Sequence, residues 1–121
     1  MTHPLPVELE AMVGRAVLAL QQEAGRYAHP SATPNIEQAA LQFTRVVDPG
    51  NQLPGYEGVW RNARNDRCGT LTINSDGSFF AEYDLFCPHS RDARWFVEMV
   101  TAWGNTASIR CEAKLIPSLE E

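Results

Sequence analysis

Positive charge is scarce in this chain: ten Lys and Arg stand against fifteen Asp and Glu among 121 residues, a net charge of −5. Nucleic-acid binders draw most of their non-specific affinity from neutralising phosphates. The deficit therefore argues against nucleic acid and against anionic membrane surfaces as partners. It suits a basic protein partner. Cysteine is scarce as well. Cys68, Cys87 and Cys111 are odd in number and irregular in spacing, which argues against a disulfide framework and for a reducing compartment. The first residues, Met1 to Glu8, have neither the basic start nor the apolar run of a signal peptide. No stretch approaches the roughly 18 apolar residues of a membrane helix. The expected location is the cytoplasm. Catalytic, phosphate-binding and metal-binding motifs do not stand out either, so a functional reading has to come from the surfaces that the fold presents.

What is present suffices for one domain over residues 1–121: hydrophobic content is 44% and charged content 21%, near globular averages. Residues 6–25 read as a helix. Leu9, Met12, Val13, Ala16, Val17 and Leu20 recur at spacings of three and four, one apolar stripe. Pro6 suits the first turn, Glu8 and Glu10 suit the positive end of the helix dipole, and Gly25 suits the stop. Gly14 inside the helix suggests close packing on a sheet. Residues 28–35 read as a loop with two prolines. Residues 36–47 are ambiguous: Thr33-Pro34 suits a short helix, but Leu41, Phe43, Arg45 and Val47 alternate with Gln42, Thr44 and Val46 and the end is rich in β-branched residues, which favours a strand over about 39–47. A long turn over 48–55 and a strand over 56–62, centred on Val59-Trp60, follow.

The rest is strand after strand. Gly69–Asn74 leads through Ser75-Asp76-Gly77, a hairpin signal, into Ser78–Phe86; Arg94–Trp103 and Thr106–Leu115 come after polar breaks. The predicted fold is α+β, an N-terminal amphipathic helix packed on a five- or six-stranded antiparallel sheet. Alternation assigns Leu71 and Ile73; Phe79, Ala81, Tyr83 and Leu85; Trp95, Val97, Met99, Thr101 and Trp103; and Ile109, Cys111, Ala113 and Leu115 to the helix-covered face. The open face receives Thr70 and Thr72; Phe80, Glu82, Asp84 and Phe86; Phe96, Glu98, Val100 and Ala102; and Ser108, Arg110, Glu112 and Lys114.

On that open face Glu82, Asp84 and Glu98 come close together if the fourth and fifth strands pair. Such carboxylates can do acid–base work, although a solvated acidic face is the commoner case. Beside Phe80, Phe86 and Phe96 they make a patch suited to a basic, partly apolar partner. Cys87, His89, Cys68 and Cys111 offer zinc-type ligands without paired Cys-x-x-Cys spacing, so no metal is expected. A Cys87–His89 nucleophile lacks an orienting third group. His3 and His29 flank prolines in loops and read as solvated. Arg61, Arg64 and Arg67, with Arg91 and Arg94, form a basic rim if their loops share one end of the sheet. A carboxylate or phosphate would fit there, and plain solubility explains it equally well. Trp60, Tyr83, Trp95 and Trp103 are candidates for lining a ligand pocket, against the simpler reading of core packing.

The segment from Leu71-Thr-Ile-Asn-Ser-Asp-Gly-Ser-Phe79 through Glu82-Tyr-Asp84, Pro88 and Arg94-Trp95 resembles immunity proteins of bacterial polymorphic toxin systems, the YezG-like group. The resemblance covers about a third of the chain. It implies an α+β domain that binds and neutralises a cognate toxin with no catalysis of its own. The group's fuller pattern of tryptophans and acidic loops between helix and sheet is not evident in residues 28–68. Independently of the resemblance, no cofactor is expected. Separately, Gly58-Val-Trp60, Gly69-Thr-Leu-Thr-Ile73 and Asp76-Gly-Ser-Phe79 resemble the opening strands of lipocalin-like barrels, which would imply a small-ligand carrier.

The expected function is a non-enzymatic protein-binding domain of the immunity type, with Phe80, Glu82, Asp84, Phe96 and Glu98 as its contact set. The alternative is a small-ligand-binding domain, lipocalin-like or cone-shaped α+β, or a small enzyme, using a pocket between helix and sheet. A homodimer that pairs open faces is a third expectation.

Overall fold

A computed structural model describes residues 5–30, 35–47, 50 and 54–117. One helix, α1 (Val7–Tyr27), is followed by a 3-10 turn (Gln38–Ala40) and six strands: β1 (Gln42–Val47), β2 (Pro54–Arg61), β3 (Arg67–Ile73), β4 (Phe79–Pro88), β5 (Trp95–Gly104) and β6 (Ile109–Pro117). The strands form one antiparallel sheet in the order β1-β2-β3-β4-β5-β6. The α+β fold is thus as the sequence predicts. Among the described residues β1 does not pair with β6, so the sheet stays open where a lipocalin-like barrel would close.

The helix buries the predicted stripe: Met12, Val13, Ala16, Val17 and Leu20 are in the core, with Leu9 packed against it. Gly25 does not stop the helix. It continues to Tyr27, and Ala28 ends it in extended conformation, because the next residues pair with the end of β4. There His29 N–H donates to Pro88 O, and Ser90 N–H donates to Tyr27 O. Gly14 does not face the sheet; a methyl there would meet Gln38 Oε1 of the 3-10 turn at 3.2 Å. The 36–47 segment divides between that turn and strand β1. His3, the Thr33-Pro34 helix start and most of the 48–55 turn lie outside the described residues.

Two glycines let aromatic rings cross the sheet. Gly69 stands between Trp60 and Tyr83 in register, and with no side chain there the two rings meet edge to face over it, centroids 5.4 Å apart. Gly58 opposite Phe43 does the same for the edge strand, whose Phe43 ring lies 2.7 Å from where a Cβ would sit. Trp60 Nε1 donates to Glu37 O at 2.8 Å, and Gln21 Nε2 donates to Ile36 O, so the chain between helix and sheet is pinned over β2. The Asp-Gly turn forms as predicted. Gly77 has φ +88°, and Asp76 Oδ1 accepts from the Ser78 N–H and hydroxyl at 2.9 and 2.6 Å.

Candidate functional site

The open face of the sheet is the surface α1 does not cover. Cross-strand register lays it out in rows. Thr72, Phe80, Trp103 and Arg110 make one row across β3 to β6; Thr70, Glu82, Thr101 and Glu112 make the next; Asp84, Met99 and Lys114 make a third; Pro88, Phe96 and Ile116 lie at the far end. Phe80, Glu82, Asp84 and Phe96 are therefore on one face, as predicted. Phe80 and Phe96 lie at its opposite ends: Phe96 pairs with Pro88, eight residues along β4 from Phe80, roughly 26 Å at the rise of a strand.

Between the third row and the far end the sheet breaks step. Asp84 pairs with Met99 and Cys87 with Val97, so Leu85 and Phe86 of β4 stand against Glu98 alone. On the other side Val97 pairs with Leu115 and Met99 with Lys114, so Glu98 has no counterpart in β6. Such bulges reverse the phase of the side chains beyond them. The assignment of Met99, Thr101 and Trp103 to the covered face is corrected here: Val100 and Ala102 are buried instead, and Trp103 joins Phe80 on the open face. The expectation that Val100 and Ala102 belong to the open face fails for the same reason. The buried Val97 and Val100 are three residues apart where a regular strand would space them by two.

The break also sets Phe86 at φ +48°, in the left-handed region, with 58% of its surface exposed. An L-residue with a Cβ enters that region at a cost of roughly 1–2 kcal/mol. Phe80 is also strongly exposed, at 47%. Glu98 Oε2 is buried and makes no hydrogen bond. Its close neighbour is Lys114 Nζ at 2.9 Å, an ion pair whose angle is off the hydrogen-bond direction. Burial pushes the Asp84 carboxyl above its ordinary value, and the charge of Glu98 adds to the rise.

The four pocket candidates do not converge. Trp60 and Tyr83 are core residues, and burial together with the Cys68 thiol, 3.5 Å from its hydroxyl, raises the Tyr83 phenol well above its ordinary value. Trp103 is on the other face of the sheet. Trp95, expected in the core, is 39% exposed at the start of β5 opposite Pro117. Their large apolar surfaces are consumed by packing or divided between faces, so they surround no common space.

The cysteines also stay apart. Cys87 is buried against Ala28 and Val97, and burial raises its thiol above the ordinary value. His89 Nδ1 faces its own loop, accepting from the Arg91 and Asp92 N–H groups at 3.1 Å each. Among the described residues no group of three or more His, Cys, Asp or Glu is placed to hold a metal. Among the described residues no helix is long and apolar enough to cross a membrane. The β2–β3 and β4–β5 loops do share one end of the sheet, as the meander requires. Three of the five arginines there already have local partners. Arg94 and Asp92 form an ion pair at 2.8 Å, and Arg94's hydrogen bonds hold Asp92 down at about 2; Arg67 is 3.8 Å from Glu57, and Arg61 donates to Asn65 O. Glu23 is a buried acid the helix reading passed over, although it follows Leu20 by three residues; Arg26 pairs with it at 3.4 Å.

Comparison of the chain with protein-family models, with curated proteins and with solved structures returns no match.

Proposed function

We propose that this chain is a non-enzymatic protein-binding domain of the immunity type, which neutralises a bacterial toxin by docking it on the open face of the sheet. The observation that carries the reading is Phe86: a large aromatic held at φ +48° and 58% exposed is unfavourable both to the backbone and to the isolated surface. Burial against a partner offsets both costs. Phe80 and Trp103 supply a second aromatic anchor at the other end of the same face, and interface energy concentrates in such anchors. Glu82 and Asp84 lie between the two, where acids steer a basic partner and fix its register. The two anchors are six residues apart along β4, roughly 20 Å, which is the scale of a protein interface rather than of a small ligand. Phe96 and Glu98 complete the contact set, Glu98 through its pairing with Lys114. The toxin as partner comes from the resemblance of Leu71–Trp103 to the YezG-like immunity proteins.

The test is rescue. The proteins encoded beside this gene are expressed with and without the chain, and one of them is expected to arrest growth when expressed alone. Native chain is expected to restore growth, and Phe80→Ala with Glu82→Lys is expected to lose rescue while keeping its unfolding midpoint. Rescue undiminished by that pair of changes contradicts the assignment of the face.

A further inference from the structure

β6 ends the sheet, and among the described residues no strand pairs with its outer edge. It is nine residues long, against a usual five or six, and regular along its length, because the extra residue at the break belongs to β5. An edge of this kind is a template for another strand, and sequences blunt it with shortness, bulges, Pro or charged side chains. β6 is long and unbulged, and its charges alternate in sign, so they can complement a second copy: Arg110, Glu112 and Lys114 point to the open face. On the helix side Ile109 and Cys111 are half-buried and floor a cleft of about 340 Å³ between α1 and β6, which Leu18, 51% exposed, also lines. The other edge, β1, has six residues, and its one charged side chain, Arg45, has no acid in the strand to meet.

We propose that a second copy of this chain pairs with β6 edge to edge and antiparallel, in the register that sets Cys111 opposite Cys111 of the second copy. That register sets Arg110 against Glu112 of the second copy, and Glu112 against its Arg110. Neither side chain makes an ion pair or hydrogen bond within the described chain, so both are free to make the new contacts. On the helix side it sets Ile109 against Ala113, covering the apolar floor of the cleft. Centring one residue later sets Glu112 against Glu112 and Arg110 against Lys114, which like-charge repulsion disfavours. Centring on Ala113 would use Lys114, already occupied by Glu98 at 2.9 Å. The two-fold axis is perpendicular to the sheet, because paired residues share a face. The dimer is a single twelve-strand sheet with both helices on one side and both open faces joined on the other. This differs from a dimer that pairs open faces, and it does not depend on the toxin reading.

Sedimentation velocity across a concentration series tests it. The native chain is expected to move from monomer to dimer. Arg110→Glu alone and Glu112→Arg alone should each weaken the dimer about tenfold, and the two together should restore it, because the charges are merely exchanged. Far-UV circular dichroism confirms that the exposed substitutions leave the fold intact. Copper–phenanthroline oxidation of the native dimer should yield a Cys111–Cys111 disulfide, absent in Cys111→Ser. A chain that stays monomeric, a dimer indifferent to both single changes, a double change that fails to restore it, or a cross-link through Cys68 would each overturn the proposal.

Discussion

Phe86 and Glu98 occupy the same break in the sheet: Glu98 of β5 faces both Leu85 and Phe86 of β4, and β6 offers it no counterpart. The break holds Phe86 in its left-handed conformation, and beyond it the alternation of β5 is reversed, which brings Trp103 out beside Phe80. The aromatic content of the open face therefore depends on one irregularity.

Phe86→Gly separates folding from binding. Glycine relieves a strain of roughly 1–2 kcal/mol and loses about 0.5–1 kcal/mol through the freedom of the unfolded chain. Urea unfolding should show stability unchanged or raised by up to about 1.5 kcal/mol, while affinity for the partner falls. A clear loss of stability would mean that the Phe86 ring is needed by the fold itself.

Asp84 makes stability depend on pH. Its carboxyl is raised above 3.8 in the folded chain by burial, with Glu98 adding to the rise, so the native state holds its proton more tightly than the unfolded state. That contribution is full below pH 3.8 and is lost as pH rises through the higher folded value. Asp84→Asn should therefore stabilise the domain at neutral pH, with the gain vanishing in acid. Urea midpoints measured at pH 7 and pH 4 check this; a gain that grows toward acid would contradict it.

Gly69→Ala tests the ring crossing. A methyl there would lie 2.8 Å from Glu82 O and from the Tyr83 ring and 2.9 Å from the Trp60 ring. Overpacking of this sort costs about 1–3 kcal/mol, and Trp60→Ala, which removes the 2%-exposed ring, about 3–5 kcal/mol. Chemical unfolding measures both. Combined in one chain, the two should cost less than their sum, because the contact of the methyl with the Trp60 ring is then gone while those with Glu82 O and the Tyr83 ring remain.

Much of the fold was legible because its signals are local. The stripe from Leu9 to Leu20, the Asp76-Gly77 turn and the alternation in β4 and β6 each read correctly from their own neighbours. β5 did not, since Trp-Phe-Val-Glu-Met-Val-Thr-Ala-Trp carries apolar residues in both phases and a bulge at Glu98 is decided by β4 and β6. The same non-local cause undid the pocket reading. Trp60 and Trp103 look equivalent in sequence, yet Gly69 draws one into the core and the bulge turns the other outward. The acids of the open face were legible as positions, but the pairing of Glu98 with Lys114 depends on which strand is its neighbour.

The central claim is that a protein partner docks on the face bearing Phe80, Glu82 and Phe86. The most direct measurement is parallel affinity capture from the native lysate with tagged native chain, Phe80→Ala, Glu82→Lys and Phe86→Gly, quantified by mass spectrometry of proteins and small molecules together. The account predicts one protein, retained in stoichiometric amount by the native chain and depleted in all three variants, each of which unfolds at or above the native midpoint. Equal recovery of that protein by all four chains, or a retained small molecule with no protein, would contradict it.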